Sequence, residues 1–520
     1  RGSSRRSRRT DAMLVLYNPR SCIEGRRRLP LTLLALGSQL PDDSYAIVDG
    51  NVAGDRAPHA ALARLTSGPG RPVLAVTAMP GNQLERAIHD TRFLRERVPG
   101  LQVIWGGYFP SLHTDTVLGS PLVDAVARGQ GERTLVEWLG ALETRDFAPI
   151  PGLSWKDGGR IRHNPDRPFA DLNGFAEFPY GKLDDMEEYV IRTYLGERTL
   201  CHITSRGCPF PCNFCAITEV YQRRWLAEEP ERVARVVERF VRDHRIDSIE
   251  FFDANFMAGE ARALAIAERM EPFGVRWWCQ ARLDTMNRYS DETWRKLRRS
   301  GLTMMFFGAE SGSEFVLKRM SKPITTGEIL ECARRCRQHD IVPEFSFIFG
   351  NPLDPRRDVE ETISFMHRLK EVSPECEVLI FMYTPVPQPG QLFADATRLG
   401  FRFPATLEEW AEPRWVRFMS MKDAQTPWLP PGLRERIADF ELVVKSRFPT
   451  ATDIRFTRPF RLLLRGLSSW RWATRTYARP YELKLVHRLV KLRSPELQGF
   501  DAPPARRHRP PRMRAAEVIS

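Results

Sequence analysis

Short apolar runs alternate with stretches of helical period along the first 135 residues. The runs are Met13–Tyr17, Tyr45–Val48, Val73–Val76, Val103–Trp105 and Val123–Ala127. Leu31–Leu40 and Leu84–Val98 read as helices between them. Five strands joined by helical crossovers predict an α/β fold, a doubly wound parallel Rossmann-like sheet. Ligands of such sheets sit at the carboxyl ends of the strands. Those ends read Asp49-Gly50-Asn51, Thr77-Ala78-Met79-Pro80-Gly81-Asn82, Gly106-Gly107-Tyr108 and Arg128-Gly129-Gln130-Gly131-Glu132. Glycine there lets backbone approach a large ligand closely. No Gly-x-Gly-x-x-Gly follows the first strand, so a generic dinucleotide site lacks its fingerprint.

The pattern changes at 136–199, where Pro149–Pro151, Lys156-Asp157-Gly158-Gly159 and Asn164-Pro165 mark turns and extended chain, a connector. From Leu200 strand and helix periods alternate six times. Leu200–Thr204, Ser248–Asp253, Val275–Ala281, Thr303–Ala309, Val342–Phe349 and Val378–Tyr383 are the predicted strands. A helix opening at Pro230 lines up Val233, Val236, Val237, Phe240 and Val241 on one face. Another is bracketed by Ser290 and Gly301. Six such units predict a partial (β/α)6 barrel over 200–395, its site at the carboxyl ends of the strands. A helical region follows over 396–497, with Trp410, Trp415, Trp428 and a helix near Leu433–Phe448. It is expected to cap the substrate side of the barrel.

Charge refines this division. The net charge of +13 sits at the ends, with five Arg and one Asp in residues 1–12. Residues 451–520 hold sixteen Lys/Arg against five Asp/Glu. A basic tail is expected at 1–12 and a disordered basic tail at 498–520. The body is close to neutral, which argues against a nucleic-acid-binding fold. Phe460–Val490 mixes Leu and Trp with Arg and Lys, a pattern that suits a membrane surface as well as a solvated helix. No apolar run is long enough to span a bilayer, and no signal region follows the basic start. Nine cysteines, six of them scattered, do not form a disulfide framework. The expected compartment is the reducing cytoplasm, with peripheral contact at the inner membrane.

The candidate chemistry lies in Ser205-Arg206-Gly207-Cys208-Pro209-Phe210-Pro211-Cys212-Asn213-Phe214-Cys215. Three thiolates in the pattern Cys-x3-Cys-x2-Cys can hold one corner of an iron–sulfur cube and leave a fourth iron open. Zinc would want a fourth Cys or His in paired spacing, and none follows. This stretch resembles the cluster motif of the radical S-adenosylmethionine (SAM) superfamily. The resemblance implies that Cys208, Cys212 and Cys215 ligate a 4Fe-4S cluster and that SAM binds the open iron. Reduction by a low-potential donor such as flavodoxin or ferredoxin then splits SAM into methionine and a 5′-deoxyadenosyl radical. By the same resemblance Phe214 packs near the adenine, Asp253 lies at the SAM amino group, and Glu310 of Gly308-Ala309-Glu310-Ser311-Gly312 holds the ribose. Arg282, Ser346 and Tyr383 are further strand-end candidates, Arg282 as a carboxylate holder.

Trp105-Gly106-Gly107-Tyr108-Phe109-Pro110-Ser111-Leu112-His113 and Val123–Glu132 resemble the cobalamin-binding domain that precedes many radical SAM cores. That likeness makes Thr77, Gly81, Gly106, Gly107, Gly129 and Glu132 candidate cobalamin contacts. The histidine that ligates cobalt in cobalamin mutases has no counterpart in Tyr17-Asn18-Pro19-Arg20-Ser21-Cys22. The two resemblances together imply a cobalamin-dependent radical SAM C-methyltransferase acting on an unactivated carbon. The alternative is a cyclase of the anaerobic magnesium-protoporphyrin ester type, which transfers no methyl group. A methylthiotransferase would need three further cysteines in the first domain, where Cys22 stands alone. The tryptophans suggest a large, apolar small-molecule substrate.

Overall fold

The computed structural model describes residues 12–22, 27–68, 70–419, 421, 426–449 and 457–489. The expected tails, apart from Ala12, lie outside them. The first sheet holds β1 (Ala12–Asn18), β2 (Tyr45–Asp49), β3 (Arg71–Thr77), β4 (Gln102–Gly106) and β5 (Ala125–Ala127), parallel and in the order β2-β1-β3-β4-β5. Alternate residues feed two cores. Val15, Tyr17, Leu74, Val76 and Trp105 pack on one face, and Leu14, Leu16, Val73, Ala75 and Ile104 on the other. Burial on both faces explains why these strands read as continuous apolar runs.

The connector contributes to that sheet. β6 (Leu153–Asp157) and β7 (Arg160–His163) form an antiparallel hairpin that extends it beyond β5. Gly158 and Gly159, both at positive φ, make the turn. The helix after β5, Glu132–Gly140, runs across the expected boundary at residue 135.

The second sheet is the partial barrel. Its strands are β8 (Thr199–His202), then, after a two-stranded ribbon of β9 (Ser205–Gly207) and β10 (Trp225–Ala227), β11 (Ser248–Phe251), β12 (Arg276–Ala281), β13 (Leu302–Glu310), β14 (Val342–Phe349) and β15 (Glu377–Met382). All six barrel strands are parallel and ordered as in sequence. The helix Pro230–His244 buries Val233, Val236, Val237 and Phe240 against them, and Val241 only partly. Ser290 caps Asp291–Arg299 by accepting the Thr293 amide at 3.1 Å.

The C-terminal helices serve two neighbours. Leu407 and Trp410 enter the core of the first domain, where Trp410 meets the Phe109 ring at 5.0 Å. Pro431–Arg447 packs on the barrel, and Arg458–Thr474 and Tyr481–Leu489 lie against it. No helix among the described residues is long and apolar enough to cross a membrane.

Candidate functional site

The ribbon β9–β10 delivers the cysteine loop. Gly207, one residue before Cys208, has φ +78, and a Cβ there would collide with the Arg224 carbonyl. Only glycine fits that crossing of the ribbon. The loop is then tied to the far side of the barrel. Asn213 donates its backbone amide to the Met320 carbonyl at 3.1 Å and its side-chain amide to the Arg319 carbonyl at 2.8 Å. Cys212 is buried, and Cys208 and Cys215 are half-buried. Burial pushes the Cys215 thiol up to about 12 and raises Cys208, with negative charge on the neighbouring cysteines adding to both.

Cys208 and Cys215, whose ionisation is opposed in this way, form with the adjacent Cys212 a donor set for cationic metal, which reverses that penalty. Among the described residues no three His, Cys, Asp or Glu side chains converge on one ion. A cubane asks for less convergence, because each cysteine ligates a different iron. The donor set therefore fits a cluster and not a single ion.

Around the loop the barrel residues are less free than their positions suggest. Arg282 was expected to hold a carboxylate of a ligand. Instead it grips Asp284 through two bonds of 3.0 and 3.2 Å, lies 3.7 Å over the Phe210 ring and points Nη1 at Cys212 Sγ, 3.4 Å away. It positions the cysteine loop. Asp253 is likewise committed, because it accepts from the Thr204 amide and hydroxyl and from the Ser205 hydroxyl at 2.5–3.0 Å. That carboxylate braces the end of β8. Asn255, two residues on, faces the cysteine loop, with Nδ2 4.0 Å from Cys208 Sγ and Oδ1 buried without a partner among the described residues.

Glu310 sits at φ +63, where a non-glycine residue is strained, and at the point where the β13–β14 register shifts. Lys322 holds it at 2.5 Å, with both side chains buried. A Cβ on Gly308 would strike the Glu310 carboxylate and the Lys322 ammonium. Ser346 stands in register with Gly308 and Leu379 on the adjoining strands. Tyr383 is buried beside Trp428 at 6.2 Å, its hydroxyl unpartnered among the described residues and its pKa raised by burial. Phe214 packs half-buried at the edge of the barrel core.

The two sheets face one another. A cavity of about 380 Å³ has Thr77, Gly106, Gly107, Gly129 and Glu132 in one wall and Ile203, Arg206, Val220 and Tyr221 in the other. It opens at the carboxyl ends of β1 and β3, where the strand order reverses. A second cavity of about 1110 Å³ shares Gly129 and Val220 with it and reaches Asn213 in the cysteine loop. The larger alone exceeds the roughly 300–1,000 Å³ of ordinary small-molecule sites. The pair has room for a corrin-sized ligand. No histidine lines either cavity among the described residues. His113 is instead packed by Phe109, Phe403 and Trp410, and burial lowers its pKa to about 4.

Gly107 has φ +100, and a Cβ on it would lie 3.0 Å from the Ala78 carbonyl. Gly81, expected in the same wall, lies outside it. It precedes helix Asn82–Arg95 and faces Met419. Glu132 lines the cavity, but its carboxylate pairs with Arg206 two residues ahead of Cys208. The C-terminal tryptophans, from which an apolar pocket was expected, line neither cavity. Trp410 is buried in the first domain, and Trp428 donates to the Gly350 carbonyl at 2.9 Å. The larger cavity is lined instead by Arg128, Arg223, Lys318, Arg319 and Gln388, among others.

Residues 202–366 match the radical SAM superfamily. An uncharacterized methyltransferase of Pyrococcus horikoshii is 31% identical over 274 residues, 51% of this chain and 58% of its own length. The anaerobic magnesium-protoporphyrin IX monomethyl ester cyclase of Synechocystis is 28% identical over 257 residues, 48% of this chain and 50% of its own. The chain spans about half the length of these curated relatives. The solved radical SAM methyltransferase TsrM from Kitasatospora setae, with cobalamin and a [4Fe-4S] cluster bound, aligns at TM-score 0.62 and 16% identity, over 92% of this chain and 99% of that one. This chain carries a radical SAM domain behind a Rossmann-like sheet, in the fold of that enzyme.

Proposed function

We propose that this protein is a cobalamin-dependent radical SAM methyltransferase acting on an unactivated carbon of a small molecule. The observation that carries this reading is the shared cavity, with strand-end glycines in one wall and the elements flanking the cysteine loop in the other. Bound there, the cluster with SAM supplies a carbon radical and cobalamin supplies the methyl group. Cys208, Cys212 and Cys215 would hold the cluster. Arg282, fixed by Asp284, keeps Cys212 and Phe210 in place. Glu310 and Lys322 offer a paired carboxylate and ammonium to the hydroxyls and carboxylate of SAM. Thr77, Gly106, Gly107 and Gly129 present backbone to cobalamin. The Tyr383 hydroxyl is a buried donor with no partner among the described residues, and it lines neither cavity. Electrons come from an external low-potential donor.

A cyclase without methyl transfer is the second reading, favoured by the similarity to the Synechocystis enzyme. The test is anaerobic reconstitution with iron, sulfide and hydroxocobalamin, followed by measurement of both metals. About one cobalamin and about four irons per chain are expected. A methyl-labelled SAM assay then separates the readings, since label enters product only in a methyltransferase. A loaded cluster with no bound cobalamin overturns the proposal.

A further inference from the structure

Five of the nine large hydrophobic side chains exposed among the described residues lie within 462–485. On helix Arg458–Thr474, Leu462, Leu463, Gly466, Trp470 and Ala473 recur at three- and four-residue spacing and are all exposed, so the outer face is the apolar one. Leu464, Ser468 and Arg471 turn inward. Arg458 and Arg465 run along one edge of the apolar strip, by the 3.6-residue turn. Helix Tyr481–Leu489 repeats the arrangement, with Tyr481, Leu485 and Arg488 exposed on one side. Tyr481 and Leu485 are 67% and 60% accessible, far from the burial such residues reach in a core. Both helices rest on Pro431–Arg447, so their outer faces point away from the barrel.

We infer that these two helices dock the protein on an anionic lipid surface. Charge selects that occupant. Residues 457–489 carry eight Lys/Arg and a single acid, Glu482. Glu482 is taken by Arg471, and Lys484 by Asp439. Arg458, Arg465, Arg475 and Arg488 form no ion pair among the described residues. A second copy of this chain would bring the same cations against them, whereas acidic headgroups neutralise them and acyl chains receive the leucines and rings. Trp470 and Tyr481 suit the boundary between headgroup and chain. This inference stands apart from the proposed reaction.

The test is co-sedimentation of the full-length protein with mixed phosphatidylcholine–phosphatidylglycerol vesicles and with pure phosphatidylcholine vesicles. Binding at least about tenfold stronger to the anionic vesicles is expected, and weakening with salt. The Leu462→Glu/Trp470→Glu pair should abolish it. Arg458→Gln/Arg465→Gln, which leaves the apolar strip intact, should weaken it and flatten its salt dependence. Equal binding to both vesicles, no binding to either, or a dimer broken by Leu462→Glu/Trp470→Glu overturns the inference.

Discussion

The two parallel sheets bring their carboxyl ends to one space and furnish it differently. The first presents backbone, with Gly106, Gly107 and Gly129 leaving room where side chains would stand. The second presents charge and sulfur, almost all of it tied, as Arg282 to Asp284, Asp253 to Thr204 and Ser205, and Glu310 to Lys322. A sheet that must admit a bulky ligand gains from absent side chains. A sheet that must hold reactive groups still gains from fixing each in a pair. The halves should therefore fail separately, and Cys212→Ala is the sharpest test. Iron in the reconstituted protein should fall to background while cobalamin binding survives. Loss of both would show that the sheets are one unit.

Arg206→Gln attacks the join. It leaves Glu132, only 2% exposed, buried without its cation. Removing one partner of such a pair costs about 3–5 kcal/mol, read as a lower midpoint in urea. Cobalamin binding should weaken with it, since Glu132 and Arg206 lie in opposite walls of the same cavity.

Gly107→Ala stays within the first sheet. Its φ of +100 and the Ala78 carbonyl 3.0 Å from the new Cβ predict a loss of about 1–3 kcal/mol. Cobalamin uptake should drop and iron content should not change. The mirror experiment is Lys322→Met, which leaves Glu310 unpaired and should weaken SAM binding, by titration, while cobalamin uptake holds.

The contrast also explains what could be read from the chain. Strands buried on both faces announce themselves as apolar runs, and the cysteine spacing carries its ligand set within eight residues. Pairings made across space carry no such mark. Asp253 meets Thr204 from 49 positions away, and Arg282 meets Cys212 from 70. Arg282 thus looked free to hold a ligand's carboxylate, the strand end at 253–256 pointed to Asp253 where Asn255 faces the cysteine loop, and Lys322 drew no attention. Gly81 and Gly107 both follow strands with positive φ, yet only Gly107 faces the cavity; after β3 it is Met79 and Gln83 that line it, while Gly81 between them faces Met419. The tryptophans misled for a similar reason, since aromatic content does not say which core a ring will fill.

A helix beside each sheet, Asn82–Arg95 in the first domain and Pro355–Val372 in the barrel, carries a buried carboxylate that responds to pH. Asp90, bonded by the Tyr17 hydroxyl at 2.7 Å, belongs to the first domain, and Asp358, bonded by Ser311, Thr362 and Asn351, to the barrel. Burial lifts each from an ordinary 3.8 to about 6, against the lowering effect of those hydrogen bonds. The folded state therefore holds a proton that the unfolded state has released. The stability it brings is fully present below about pH 4 and is lost as pH rises through about 6. Each group accounts for about 1–3 kcal/mol across that window. Asp90→Asn and Asp358→Asn should each flatten the fall in urea stability between pH 4 and 6 relative to wild type. Similar flattening by both would mean that the two sheets unfold together. An effect confined to one would assign the measured transition to that sheet, and divide the molecule at the cavity its cofactors are proposed to share.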